Sequence, residues 1–156
     1  MAYLLDTNSW IHYLKHADSP VRTRLQALAP ADVVSCSVVR AELLHGADKY
    51  GNRDRRVATV FQMLAPFRSL PFDDDAAAVY ARVRHDLEIA GAVIGPFDLQ
   101  IAAVCLLDGS TLVTSNTGEF SRVSRSRSKT GCGRREVQRC SRPGRVPQRK
   151  VRRCLR

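Results

Sequence analysis

Through the first 121 residues, short apolar runs alternate with stretches in which apolar residues recur every three or four positions. Residues 2–5 are an apolar run that stops at Asp6. Thr7, Asn8 and Ser9 then supply side chains that favour turns and helix caps, so a strand passing into a helix is predicted. Trp10, Ile11, Tyr13 and Leu14 give that helix one apolar face, and Pro20 opens a second helix with Val21, Leu25 and Leu28 in phase. Residues 33–36 read as a buried strand, after which Ser37 is placed to cap a helix that carries Val38, Ala41, Glu42, Leu43 and Leu44 to Gly46. Val57, Val60, Phe61 and Leu64 mark a further helix, followed by a strand over 68–72. The longest helix is predicted over 73–91, with Tyr80, Val83 and Leu87 inward and Gly91 as its stop. Gly95 and Pro96 start another, Gly109 ends it, and residues 110–114 form the fourth strand. Nearly continuous apolar strands separated by helices predict an α/β fold, a single domain with a parallel sheet of four to five strands covered by helices on both faces.

Charge divides the chain in two. Residues 1–121 carry 11 Lys and Arg against 14 Asp and Glu, whereas residues 122–156 carry 14 against 1. The net charge of +10 is therefore not the property of a folded basic domain. From Arg122 on no periodicity survives, and only eight of 35 residues are apolar, too few to offset the entropy of ordering the segment. The expected division is a folded domain over 1–121 and an Arg-rich, disordered tail over 122–156. No apolar run approaches the roughly 18 residues of a membrane span, and the N-terminus lacks the pattern of a signal peptide, so a cytoplasmic location is expected. Cys36 and Cys105 lie in apolar runs, and Cys132, Cys140 and Cys154 lack metal-ligand spacing, which points to neither a disulfide framework nor a zinc site.

Three acidic residues fall where a parallel sheet displays functional groups: Asp6 past the first strand, Glu42 early in the helix after the second, and Asp98 beside Pro96. Each alone has a local explanation as a cap or a first-turn charge. Gathered in one cleft, two carboxylates about 4 Å apart repel by roughly 4 kcal/mol at an effective dielectric of 20, so the cluster calls for a cation. Hard oxygen donors without nearby His or Cys favour Mg²⁺ or Mn²⁺ over zinc.

Four segments carry a family resemblance: 3–8 (YLLDTN), 37–46 (SVVRAELLHG), 95–103 (GPFDLQIAA) and 112–120 (LVTSNTGEF). Together, in this order over residues 2–121, they resemble the PIN-domain ribonucleases and, within them, the VapC-like toxins of toxin–antitoxin pairs. The resemblance implies an Mg²⁺- or Mn²⁺-dependent endoribonuclease acting on structured RNA, with Asp6, Glu42 and Asp98 as its acidic core. It places the family's fourth acidic position at Asn116, a neutral ligand, and makes Thr7, Asn8 and Ser37 supporting polar residues. It also implies a homodimer and a small antitoxin partner, for which the helices bearing Trp10, Ile11, Tyr13, Leu14 and Val57, Phe61, Leu64 offer apolar surface.

The tail departs from that family. A member normally adds a short fifth strand and ends on an acidic-aromatic segment, where this chain runs into arginine. Residues 127–131 can be encoded CGA TCG AAG ACT GGN, and two bases later the same letters read Ile-Glu-Asp-Trp. A shifted reading frame accounts for that, with a lineage-specific basic extension as the alternative; without its own fifth strand, the fourth strand is expected to have an unpaired edge. The rival readings are a non-catalytic RNA-binding protein acting through its basic tail and an inactive frameshifted remnant of a toxin. A receiver-like domain finds no support, because no acidic pair follows the first strand.

Overall fold

The computed structural model describes residues 2–49, 51–129 and 138–139. Its first strand, β1 (Tyr3–Leu5), enters helix α1 (Thr7–Lys15) through Asp6, whose side chain caps the helix by accepting from Ser9 N. Helix α2 (Pro20–Gln26) follows with Ser19 as its cap, and β2 (Val33–Cys36) then runs straight into α3 (Ser37–Asp48). Helix α4 (Arg53–Leu64) leads to β3 (Arg68–Leu70). Next come α5 (Asp74–Ile89), α6 (Pro96–Asp108) and β4 (Thr111–Thr114). The last described elements are α7 (Thr117–Lys129) and β5 (Gln138–Arg139).

Every strand pairing is parallel, in the order β3-β2-β1-β4-β5. The chain leaves β1 towards β2 on one side and returns as β4 on the other, so the seam between β1 and β4 is a topological switch point. All four residues of β2 are buried, as a strand covered on both faces requires. Helix α6 is buried almost all round through Leu99, Ile101, Ala102, Ala103, Val104 and Cys105. It feeds β4 after Gly109, whose φ of 70° only glycine adopts without strain.

The predicted elements are present, with four corrections. Ser37 does not cap α3: Cys36 stands at the cap without a side-chain bond, and the Ser37 hydroxyl accepts from Phe72 N at 3.0 Å. Trp10 and Leu64, expected to help offer surface to a partner, are enclosed instead, Trp10 with its ring 5.3 Å from that of Phe67. Leu14 and Phe61 remain exposed on those helices. Helix α7 runs on through Ser121 to Lys129, and Val123, counted with the tail, is part of the core. Finally, the edge of β4 is paired, Val113 and Thr114 lying beside Gln138 and Arg139. A ladder uses backbone groups only, so a basic segment can occupy it as well as an apolar one. The expected disorder of the rest of the tail, 130–137 and 140–156, lies outside the described residues.

Candidate active site

A helix that crosses between parallel strands runs antiparallel to them, so its N-terminus returns to the carboxyl edge of the sheet. That rule brings Asp98, in the first turn of α6, to the edge where β1 ends at Asp6 and β4 ends at Thr114. Helix α3 starts from the end of β2 on the same edge and carries Glu42 on its second turn.

Asp6 is 2% exposed and nearly immobilised. Its Oδ1 accepts from Ser9 N at 2.7 Å, and its Oδ2 accepts from the Thr114 hydroxyl. Thr114 in turn accepts from Asn116 N at 2.9 Å, so one hydroxyl ties the end of β1 to the turn after β4. Ser9 adds a second tie by donating to the Val113 carbonyl at 3.2 Å.

Around Asp98 the surroundings are different in kind. The Asn116 amide donates to Asp98 Oδ2 at 3.0 Å, and Glu119 of α7 accepts from Gly95 N at 3.3 Å at the entry to α6. The Asp98 and Glu119 carboxyl groups lie close enough to shift each other's titration in opposite directions. Burial first, then Glu119 and the negative charges of Asp6 and Glu42, push the Asp98 carboxyl up to about 7. Glu119 moves the opposite way, held below the usual range by Asp98 and the Gly95 N–H.

The structure therefore gathers Asp6, Glu42, Asp98 and Asn116 at one edge. Thr7 is there too, donating to Glu42. Asn8 is exposed in the first turn of α1, and the Ser37 hydroxyl is directed to the Phe72 backbone. Two contributors, Thr114 and Glu119, were not among the candidate residues. A signal for Glu119 was present: it follows Asn116 by three residues at the start of a helix leaving a strand end, the spacing that turns an acid back towards that end.

Among the described residues, no three His, Cys, Asp or Glu side chains stand close enough to hold an ion as they are. The donor chemistry nevertheless suits a hard divalent cation. All the acidic groups are oxygen donors, and the burial and neighbouring negative charges that push the Asp98 carboxyl up are what a cation would offset.

The PIN domain model matches residues 3–126. The chain belongs to the PIN-domain family. Within that family it is similar to VapC proteins. One is a tRNA(fMet)-specific endonuclease VapC of Shigella flexneri, 33% identical over 123 residues, 79% of this chain and 92% of that protein. Ribonuclease VapC2 of Rickettsia felis is 33% identical over 125 residues, with the same shares covered. Among solved structures, VapBC from Salmonella typhimurium bound to DNA superposes with a TM-score of 0.74 at 29% identity, over 79% of this chain and 92% of that one. VapBC2 from Rickettsia felis bound to a promoter DNA fragment gives 0.73 at 29% identity, over 78% and 92%. This PIN fold is thus shared over nearly the whole length of those relatives, and the departure is confined to the tail.

Proposed function

We propose that this PIN domain is a divalent-metal-dependent endoribonuclease, the toxin of a toxin–antitoxin pair, cleaving phosphodiester bonds in structured RNA. The observation that carries the reading is the convergence of carboxylates from four separate elements on the β1–β4 edge, where burial and the neighbouring acids push the Asp98 carboxyl up to about 7. The ribonuclease names of the VapC relatives support the activity, and the VapBC complexes among the structural neighbours support an antitoxin partner. A non-catalytic RNA-binding role for the tail leaves that convergence without a purpose.

Asp6 and Asp98 would hold Mg²⁺ or Mn²⁺, Glu42 would hold it or orient the attacking water, and Asn116 would be a neutral auxiliary ligand. When bound, such an ion lowers the pKa of a water and braces the charge that builds on the phosphate. The chain's own residues supply position. Ser9 and Thr114 hold the Asp6 carboxylate still, Thr7 holds Glu42, and Asn116 with Glu119 holds Asp98. The protein works as a homodimer in the cytoplasm, where an antitoxin closes the cleft.

Cleavage of a structured RNA in Mn²⁺ or Mg²⁺, set against an EDTA control, tests the proposal. Asp98→Asn should lower the rate by more than about a hundredfold. An Asp98→Asn protein that cleaves like the parent overturns the assignment. Co-expression with the adjacent open reading frame should yield a complex without nuclease activity.

A further inference from the structure

The carboxylate cluster has a rim that the proposed chemistry leaves unused. Phe97, the residue before Asp98, is 54% exposed at the start of a helix whose middle is sunk in the core. Pro96 restricts the backbone that enters this turn, and burial of Leu99, Ile101 and Ala102 anchors the turn that follows, so the ring rides on a rigid mount. The other exposed phenylalanine, Phe61, lies under the Arg40 guanidinium at 5.8 Å. No ring or guanidinium covers Phe97 among the described residues.

A cation stands at the same end. Arg122 of α7 donates through Nη1 to the Val93 carbonyl at 3.0 Å, which pins it beside the loop that leads into α6. It is exposed, and its charge also reaches Glu119, one turn earlier on α7.

A bare ring and a pinned guanidinium, both next to one edge of carboxylates, match one repeating unit: a nucleobase with its phosphate. Unpaired bases stack on aromatic side chains, and phosphates seek arginine. An apolar protein surface fits this rim less well, because docking on Phe97 would desolvate Arg122 and the acidic edge together. We propose that Phe97 and Arg122 form a subsite for the unpaired nucleotide beside the cleaved bond, its base on the Phe97 ring and its phosphate on Arg122. The inference rests on the ribonuclease reading and adds to it a demand for a single-stranded position at the cut.

Its test uses the full chain with Phe97→Trp, in EDTA so that nothing is cleaved. Trp10, the chain's own tryptophan, is fully buried and gives a steady background. A short single-stranded oligoribonucleotide should quench the new indole, whereas the same oligomer with abasic sugars should not. That comparison cancels the basic tail, which reads phosphate alone. Phe97→Leu should weaken binding about tenfold and Phe97→Tyr should restore it, the size expected for one stacked base. Arg122→Gln should lower the slope of log Kd against log salt by about one. Equal quenching by the abasic strand overturns the subsite. So does a Phe97→Leu protein that binds and cleaves like the parent, or one whose only defect is loss of a protein partner. Failure of the nuclease reading shows separately, as cleavage that survives Asp98→Asn.

Discussion

The two aspartates proposed to share an ion are held by opposite means. At Asp6 both oxygens are occupied by neutral donors, the Ser9 N–H and the Thr114 hydroxyl, and the carboxylate serves as helix cap and seam clip at once. At Asp98 burial and three neighbouring acids disfavour the charged form and push the carboxyl up to about 7. One carboxylate is thus fixed by the fold and supports it, whereas the other is held against its charge. A site can therefore contain a ligand that stabilises the protein beside one that destabilises it, and loss of activity alone does not tell them apart.

Stability measurements in EDTA do. Asp6→Ala removes the α1 cap and strands the Thr114 hydroxyl, and it should cost about 3 kcal/mol in chemical denaturation besides abolishing cleavage. Asp98→Asn should instead raise the melting temperature in EDTA, since an amide relieves the repulsion. Equal losses in the two variants would break the contrast between the sites.

A smaller effect tests the clip itself. Thr114→Val keeps the shape of the side chain but removes both its donation to Asp6 and its acceptance from Asn116 N, and should cost about 2 kcal/mol; Thr114→Ser should recover most of it. A valine variant as stable as the parent would mean that Asp6 is held by α1 alone.

The smallest effect is a dependence on pH. Folded Asp98 binds its proton more tightly than an unfolded aspartate, so the stabilisation is complete below the ordinary carboxylate range and is lost as pH rises through about 7. Glu119, shifted downwards, loses its contribution only in more acid solution. In EDTA the melting temperature should therefore fall between about pH 5 and pH 8, and Asp98→Asn or added Mn²⁺ should flatten that slope. A parent protein already flat across this range would remove the charge argument for Asp98.

How far these features could be read in advance follows from the range of the interactions behind them. Hydrophobic period is a local signal, and it located helices α1 to α6 and the first four strands, because each buries a face set by its own side chains. Asp6, Glu42 and Asp98 were legible because strand ends and helix starts are visible in that same pattern. Thr114 was not, since its role is a bond to a residue at the far end of the domain. Ser37 was misjudged because a cap and a tie to a neighbouring strand look alike in one dimension. Helix α7 was missed because its sequence is rich in arginine and serine, which masks the apolar pair Phe120 and Val123 that it buries.

The bond between Thr114 and Asp6 joins residues 108 positions apart, and that span has a bearing on synthesis. Chains are made from the N-terminus at about 5–20 residues per second, and long-range parallel pairing forms late. While β4 is still inside the ribosome, Asp6 has only its own helix for company, and Asn116 and Glu119 do not yet exist outside. A polypeptide released before residue 114 thus carries Asp6, Glu42 and Asp98 without the clip that brings them to one edge. Nascent fragments should be inert, and the capacity to cut should arrive abruptly, with the closing residues of the domain.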